Sequence, residues 1–194
     1  MALAYSNITV ELKEISLRNR PLELLAISPK GTVPVLCINN STFIDESLDI
    51  MKWALNHNDP ESWISHNKKI QLEMIDVYDT EFKYWLDRYK YHDRYPENNK
   101  NYYRNQCDVY LKKLNIVLKN KQYLLSDNVK LVDVAIFPFI RQFANVDEKW
   151  FNNHYQNIYS WFNILIKSKL FSSVMHKYPE YKPEQTPLVI NFNI

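Results

Sequence analysis

The sequence predicts a small α/β unit followed by an all-α unit, and three observations carry that expectation. Residues 8–15 alternate apolar and polar side chains, and two further short β-like runs bracket a polar turn at residues 39–41. From about residue 62 onward, apolar residues recur at helical spacing with no convincing strand. The polar breakers Asn56, His57, Asn58, Asp59 and Pro60 separate the two regimes, which sets the expected domains at 1–56 and 62–194.

Taken in order, Ile8, Val10 and Leu12 share one face of a half-buried strand over residues 8–15. Pro21 then opens a short apolar run, Leu22 to Ile27, which suits a brief helix because proline is tolerated in a first turn. Ser28-Pro29-Lys30-Gly31 reads as a turn. Residues 33–38 read as a strand, Asn39-Asn40-Ser41 as a hairpin turn and Thr42-Phe43-Ile44 as the antiparallel partner. From Ser47, the residues Leu48, Met51, Trp53, Ala54 and Leu55 fall near helical spacing, and the helix ends before Asn56. In the second unit, helices are expected at about 62–94, 98–120, 131–146 and 155–176, separated by Tyr95-Pro96, by residues 123–128 and by residues 147–154. No internal repeat or low-complexity tract interrupts them.

Composition excludes several function classes. The chain has 194 residues and one glycine, where average usage predicts roughly 14. Phosphate-binding P-loops, dinucleotide GxGxxG turns and EF-hands all need glycine where the backbone approaches a ligand or takes a positive φ, so none of them is present. Charges are interspersed and sum to +2 at pH 7, which argues for neither nucleic acid nor membrane as partner. Cys37 and Cys107 belong to no CxxC pair and frame neither a disulfide scaffold nor a zinc cage. The N-terminal residues lack a basic and apolar leader pattern, and no apolar run approaches the roughly 18 residues of a membrane span. A cytoplasmic location is the natural expectation.

Val33-Pro34 is unusual inside an apparent strand, because proline cannot donate to a ladder. It marks either an edge strand or a cis peptide bond at the strand's start; in the second geometry the Val33 backbone faces outward, able to pair with an extended peptide ligand. Asp45-Glu46-Ser47 reads locally as an N-cap cluster, Arg20 as a solvated side chain, Cys37 as a packed core thiol and Cys107 as a core thiol on a bundle helix.

The order of strand, short helix, Val-Pro strand, hairpin partner, acidic-Ser helix start and all-helical half resembles the cytosolic glutathione transferase family over nearly the whole chain. The resemblance implies a thioredoxin-like N-terminal domain followed by a glutathione-transferase-type helical bundle. It also implies that Val33 and Pro34 lie against the cysteinyl backbone of glutathione and that Glu46 and Ser47 hold the γ-glutamyl group. Helix N-terminal N–H groups suit a carboxylate, and Glu46 suits an ammonium, which agrees with those roles. Asn19-Arg20-Pro21 resembles the Asn-Lys-Pro segment of the cysteine-type branch near the omega class and its bacterial relatives, so Arg20 takes the role of contacting a ligand carboxylate. Residues 86–91 and 133–147 also resemble the helical domain of bacterial members. The family's Ser/Thr-x-x-Asp capping box reads here as Lys130-Leu131-Val132-Asp133, without the hydroxyl. That loss costs on the order of 1 kcal/mol, while Asp133 and a Val129–Val134 staple still favour the helix start.

Against the family pattern, the first strand and the catalytic loop are missing, so the thioredoxin-like domain reads as N-terminally truncated and no residue matches the catalytic position. The expected strand at 8–15 is left with no neighbour and a bare apolar face. Either the true start lies upstream of Met1, or the chain is a degenerate member that has lost catalysis. Two functions follow: glutathione conjugation or glutathione-dependent thiol transfer with the nucleophile outside this chain, and a non-catalytic interaction protein on the same fold. The resemblance further implies glutathione as co-substrate, a small hydrophobic or electrophilic second substrate and a homodimer. The basic and aromatic run at residues 83–91 is balanced by Glu81, Asp87 and Asp93, so nucleic acid is not expected. His57, His66, His92, His154 and His176 are scattered without ligand spacing, so no metal is expected either.

Overall fold

A computed structural model describes residues 1–39, 41–64 and 67–192. Of the residues singled out above, Asn40 and His66 lie outside the described residues. The chain divides into two compact units, Met1–Glu61 with Lys169–Ile194, and Ser62–Ser168.

The first unit contains helix α1 (Ala2–Tyr5), strand β1 (Val10–Glu11), α2 (Leu22–Ile27), β2 (Leu36–Asn39), β3 (Thr42–Ile44) and α3 (Ser47–His57). Its core is where α1 meets α3, with Ala2, Ala4, Ile50, Ala54 and Leu55 buried. The chain beyond α3 is tied back by the Tyr5 hydroxyl, which donates to Asp59 Oδ1 at 3.1 Å and accepts from the Glu61 N–H at 2.6 Å.

The hairpin forms as the sequence predicts. Cys37 pairs with Phe43 and Leu36 with Ile44, and a register irregularity between Cys37 and Asn39 pairs Asn39 with Thr42. Asn39 closes the turn by accepting through Oδ1 from the N–H groups of Ser41 and Thr42 at 3.1 and 2.9 Å, a local bond that asparagine makes readily. Strand pairing begins at Leu36 rather than at Val33. Cys37 is exposed rather than packed in a core, as are its cross-strand partner Phe43 and the next residue, Ile38, so the hairpin leaves these side chains to solvent. Helix α2 buries no residue, and Leu22 is 80% exposed.

The strand expected over residues 8–15 shrinks to β1, and it does have a neighbour. Residues 189–190 form β4 (Val189–Ile190), antiparallel to β1 with Val10 opposite Ile190 and Glu11 opposite Val189. The Leu12 N–H donates to the Leu188 carbonyl at 2.8 Å, and the Tyr181 N–H donates to the Glu14 carbonyl at 2.7 Å. The C-terminal tail thus satisfies backbone groups that would otherwise form a bare edge. Residues 169–194 accordingly group with the first unit, although the sequence reading runs the helical domain to residue 194.

The second unit is helical. Helix α4 (Lys68–Val77) passes through a π-type turn at Tyr78–Phe82 into α5 (Lys83–Lys90), where the sequence predicts one unbroken helix. Helix α6 (Lys100–Val117) starts at Asn99, whose side chain accepts from the Tyr102 N–H at 2.9 Å. Helix α7 (Leu131–Ala144) is the most buried, and Ile136, Ile140 and Phe143 pack in the core with Phe82, Leu86 and Leu111. Residues 147–154, expected as a separator, instead hold α8 (Glu148–His154). Asp147 caps it by accepting from the Trp150 N–H at 3.0 Å, and Phe151 is buried. Helix α9 (Gln156–Ile166) ends the unit, and the expected helix over 155–176 breaks before α10 (Lys169–Ser173), which belongs to the first unit.

Asp133 anchors the start of α7. It is fully buried and accepts from the Lys130 N–H through Oδ2 at 3.0 Å, and through Oδ1 from the Leu124 N–H at 3.0 Å and the Trp161 indole N–H at 2.8 Å. The carboxylate half of the capping box is therefore present without the hydroxyl half. Burial pushes the Asp133 carboxyl above its ordinary range, against the pull of those three donors. Gln71 joins the same junction, donating to the Trp63 carbonyl at 2.8 Å and accepting from the Val132 N–H at 3.0 Å.

Candidate functional site

The candidate site lies on the first unit, where the turn after α2 approaches the start of α3. Helix α2 ends as the Ser28 N–H donates to the Leu24 carbonyl at 2.8 Å, and the turn closes as the Gly31 N–H donates to the Ser28 carbonyl at 2.8 Å. Gly31 has φ +60°, the left-handed region that favours glycine. A Cβ there would stand 3.0 Å from Leu25 Cδ2 and 3.1 Å from Arg20 Cδ. Gly31 is itself buried, and its lack of a side chain lets the exposed Arg20 lie across the turn.

Two residues further on, the Val33-Pro34 peptide bond is cis. Val33 is 47% exposed, and among the described residues no backbone group pairs with its N–H or C=O. The chain then enters β2, returns along β3 and reaches Asp45-Glu46-Ser47. Glu46 is the N-cap of α3, in extended conformation, and its carbonyl accepts from the Asp49 and Ile50 N–H groups at 3.1 and 3.0 Å. Its side chain makes no capping bond. The N–H groups of Ser47 and Leu48 make no backbone hydrogen bond among the described residues, as a helix start dictates.

The Glu46 carboxylate instead holds Lys30. Lys30 Nζ lies 2.7 Å from Glu46 Oε1 and 3.5 Å from Asp45 Oδ2. The buried Ser28 hydroxyl donates to Asp45 Oδ2 at 3.3 Å. Its hydrogen bond to Glu46, with the Asp45 charge beside it, holds the Lys30 ammonium above its ordinary range. Sequence reasoning missed Lys30, Ser28 and Asp45 as parts of this site. The available signal was that Lys30 is the sole cation between Arg20 and Lys52.

Of the five residues singled out in the sequence, Glu46 and Ser47 share the start of α3, and Val33 and Pro34 follow the turn that Lys30 ties to it. Arg20 contacts that same turn at Gly31. No hydrogen bond joins Val33 or Pro34 to Glu46 or Ser47 among the described residues. Open backbone, an exposed carboxylate and free helix N–H groups together suit an extended, zwitterionic, peptide-like ligand.

Neither cysteine occupies a helix N-terminus. Cys37 Sγ donates to the Asn39 carbonyl at 3.1 Å, and burial pushes the Cys107 thiol, within α6, far above its ordinary range. His57 packs its ring on Trp53 and His154 stacks on Trp150, at 4.2 and 4.1 Å between centroids. Among the described residues no cluster of His, Cys, Asp or Glu is placed to hold a metal ion. In the basic and aromatic run, Arg88 lies over the rings of Tyr84 and Tyr95 at 3.4 and 4.6 Å, and Lys83 pairs with Asp79 at 3.4 Å. Among the described residues no helix is long and apolar enough to cross a membrane.

Comparison with known proteins adds a family. The family model for the glutathione S-transferase N-terminal domain matches residues 1–63, and the model for the C-terminal domain matches residues 67–169. Among solved structures, the chain is similar to a glutathione transferase from Phanerochaete chrysosporium in complex with oxidized glutathione. The TM-score is 0.76 at 17% identity, covering 88% of this chain and 85% of that one. It is similar to a glutathione transferase from Populus trichocarpa, with TM-score 0.74, 15% identity and 88% of each chain covered. A possible glutathione S-transferase from Rhodopseudomonas palustris matches with TM-score 0.74 and 14% identity over 94% of this chain and 86% of that one. At these identities the structural likeness speaks for the fold, a thioredoxin-like domain followed by a helical domain.

Proposed function

The chain belongs to the glutathione S-transferase family, and on that premise we propose that it binds glutathione along the turn at residues 28–34 and the start of α3. In this reading the Val33 N–H and C=O pair with the cysteinyl backbone as an added strand would, with Pro34 fixing the chain beside them. Glu46 accepts from the γ-glutamyl ammonium, while Ser47 and the free N–H groups at the start of α3 take the adjacent carboxylate. Arg20, lying across Gly31, pairs with another ligand carboxylate through its guanidinium fork. The observation that carries the reading is Val33, an exposed residue whose backbone pairs with no other backbone group among the described residues.

The reaction class is transfer of the glutathione thiol to a small hydrophobic or electrophilic co-substrate, or glutathione-dependent thiol transfer. The protein acts as a cytoplasmic homodimer close to the cysteine-type, omega-like bacterial members, as Asn19-Arg20-Pro21 suggests. No residue of this chain is assigned as the nucleophile-activating group. A second reading, a non-catalytic interaction protein on the same fold, draws support from the two cysteines, since Cys37 lies in β2 and Cys107 is buried within α6, neither at a helix N-terminus where a thiolate would be favoured.

Calorimetric titration of glutathione into the protein and its Glu46→Gln variant, followed by conjugation and thiol-transfer assays, tests both readings. Millimolar or tighter binding that weakens at least tenfold in the variant supports the site. Binding with no turnover favours the interaction protein, and no binding at several millimolar glutathione sinks the glutathione reading.

A further inference from the structure

The feature that the proposed ligand site does not use is Lys30. Its ammonium sits on the acidic pair at the start of α3, 2.7 Å from Glu46 Oε1 and 3.5 Å from Asp45 Oδ2. The contact is built rather than incidental to a free chain end. The Gly31 N–H closes the turn onto the Ser28 carbonyl at 2.8 Å, which sets the direction in which Lys30 leaves the backbone. The buried Ser28 hydroxyl donates to the same Asp45 Oδ2 at 3.3 Å and helps fix that carboxylate. The cation and its two carboxylates therefore come from different segments, the turn after α2 and the start of α3.

We propose that Lys30 is an internal occupant of the ammonium position at Glu46, which glutathione must displace, so that Lys30 sets the site's affinity and selectivity for ligands with a free α-amino group. The inference rests on the reading of Glu46 as the ammonium acceptor. Displacement is physically easy. The Lys30 and Glu46 side chains are 57% and 63% exposed, and an exposed ion pair of this kind is worth at most about a fivefold bias in an equilibrium. Four methylene groups let the lysine head swing into water without moving the turn. A ligand ammonium entering the site exchanges one cation for another at Glu46, so the pair's own stability subtracts from the ligand's apparent affinity. A ligand without the amino group has no such exchange to make, and the seated Lys30 does not oppose it.

The test uses two ligands and three proteins. Glutathione and its deaminated analogue, in which glutaryl replaces γ-glutamyl, are titrated calorimetrically into the native protein, Lys30→Met and Lys30→Arg. Thermal unfolding verifies that each variant is folded, as substitution of an exposed side chain should allow. The expected result is two- to fivefold tighter glutathione binding by Lys30→Met, unchanged binding of the deaminated analogue, and native affinity in Lys30→Arg, which keeps a cation in place. Glutathione binding by Lys30→Met that is equal to or weaker than native overturns the displacement role while leaving the glutathione site intact. Failure of all three proteins to bind glutathione overturns this proposal and the site reading together.

Discussion

Replacing Asp133 by alanine strips the start of α7 of an acceptor on which three buried or half-buried donors depend. The Leu124 N–H, the Lys130 N–H and the Trp161 indole N–H lie 3.0, 3.0 and 2.8 Å from its two oxygens. A buried donor left without a partner costs about 1–3 kcal/mol, and a carboxylate in a helix's first turn contributes about 0.3–1 kcal/mol. Relief from burying a charge offsets part of the sum, since burial already pushes this carboxyl upward. The net expectation for Asp133→Ala is a loss of about 3–5 kcal/mol, against a total of roughly 5–15 kcal/mol for a typical domain. Asp133→Asn keeps one oxygen for Trp161 and Leu124 but turns an amide toward the Lys130 N–H, and loses about 1–2 kcal/mol. Urea unfolding followed by tryptophan emission, which the Trp161 contact makes sensitive to this junction, measures both variants. A loss below about 1 kcal/mol for Asp133→Ala would refute the argument that this carboxylate holds the helix start. The sign with pH is also fixed. Because the folded-state pKa lies above the ordinary value of 3.8, the folded state keeps its proton longer than the unfolded state. Stability from this group therefore falls as pH rises from about 4 through the folded pKa. The Asn variant should lack that slope, and a native minus variant difference that grows with pH in that window contradicts the direction.

Gly31→Val forces a β-branched residue to φ +60° and sets its Cβ 3.0 Å from Leu25 Cδ2; about 1–2 kcal/mol of stability and measurable glutathione affinity should be lost together, whereas an unchanged melting curve and affinity would show the turn to be indifferent. A thiol reagent at pH 8 should label Cys37 rapidly and leave Cys107 unreacted in the folded protein, since one is exposed and the other buried with its thiol pushed up; a Cys37→Ser variant that still labels fast contradicts this. Asp147→Ala removes the cap on Trp150 N–H and should cost about 0.5–2 kcal/mol in a urea titration, with no change indicating that packing alone forms α8.

Local chemistry made several of these elements legible. Pro21 and the apolar run after it, the Asn-rich hairpin turn and the apolar spacing after Ser47 each specify their element over a few residues, and α2, the hairpin and α3 follow them. What escaped depends on distant partners. β4 is two residues long and exists because residues nearly the whole chain apart, Val10 and Ile190, pair; no short-range pattern signals that. Helix α8 holds Asn152, Asn153 and His154, which read as a linker, yet Trp150 and Phe151 pack against Phe143, at 6.0 and 6.2 Å between ring centroids, and stabilise the turn of helix. Cys37 looked like a core residue because alternation shows which face a side chain takes, whereas burial needs a second layer packed on it, and Cys37 and its partner Phe43 stay exposed. At the candidate site, Val33-Pro34 and Glu46-Ser47 stood out by motif, but Lys30 did not, since its carboxylate partner is reached only once the chain has turned through β2 and β3.

In the proposed complex glutathione lies along Val33 and the start of α3. Titrating glutathione into the nitrogen-15-labelled protein and following backbone amide resonances tests it residue by residue. The expected result is saturable shifts concentrated at Gly31, Val33, Glu46, Ser47 and Leu48, with the Val33 amide moving downfield as it gains a hydrogen bond. Saturable shifts confined to other residues, or none at millimolar glutathione, would contradict it.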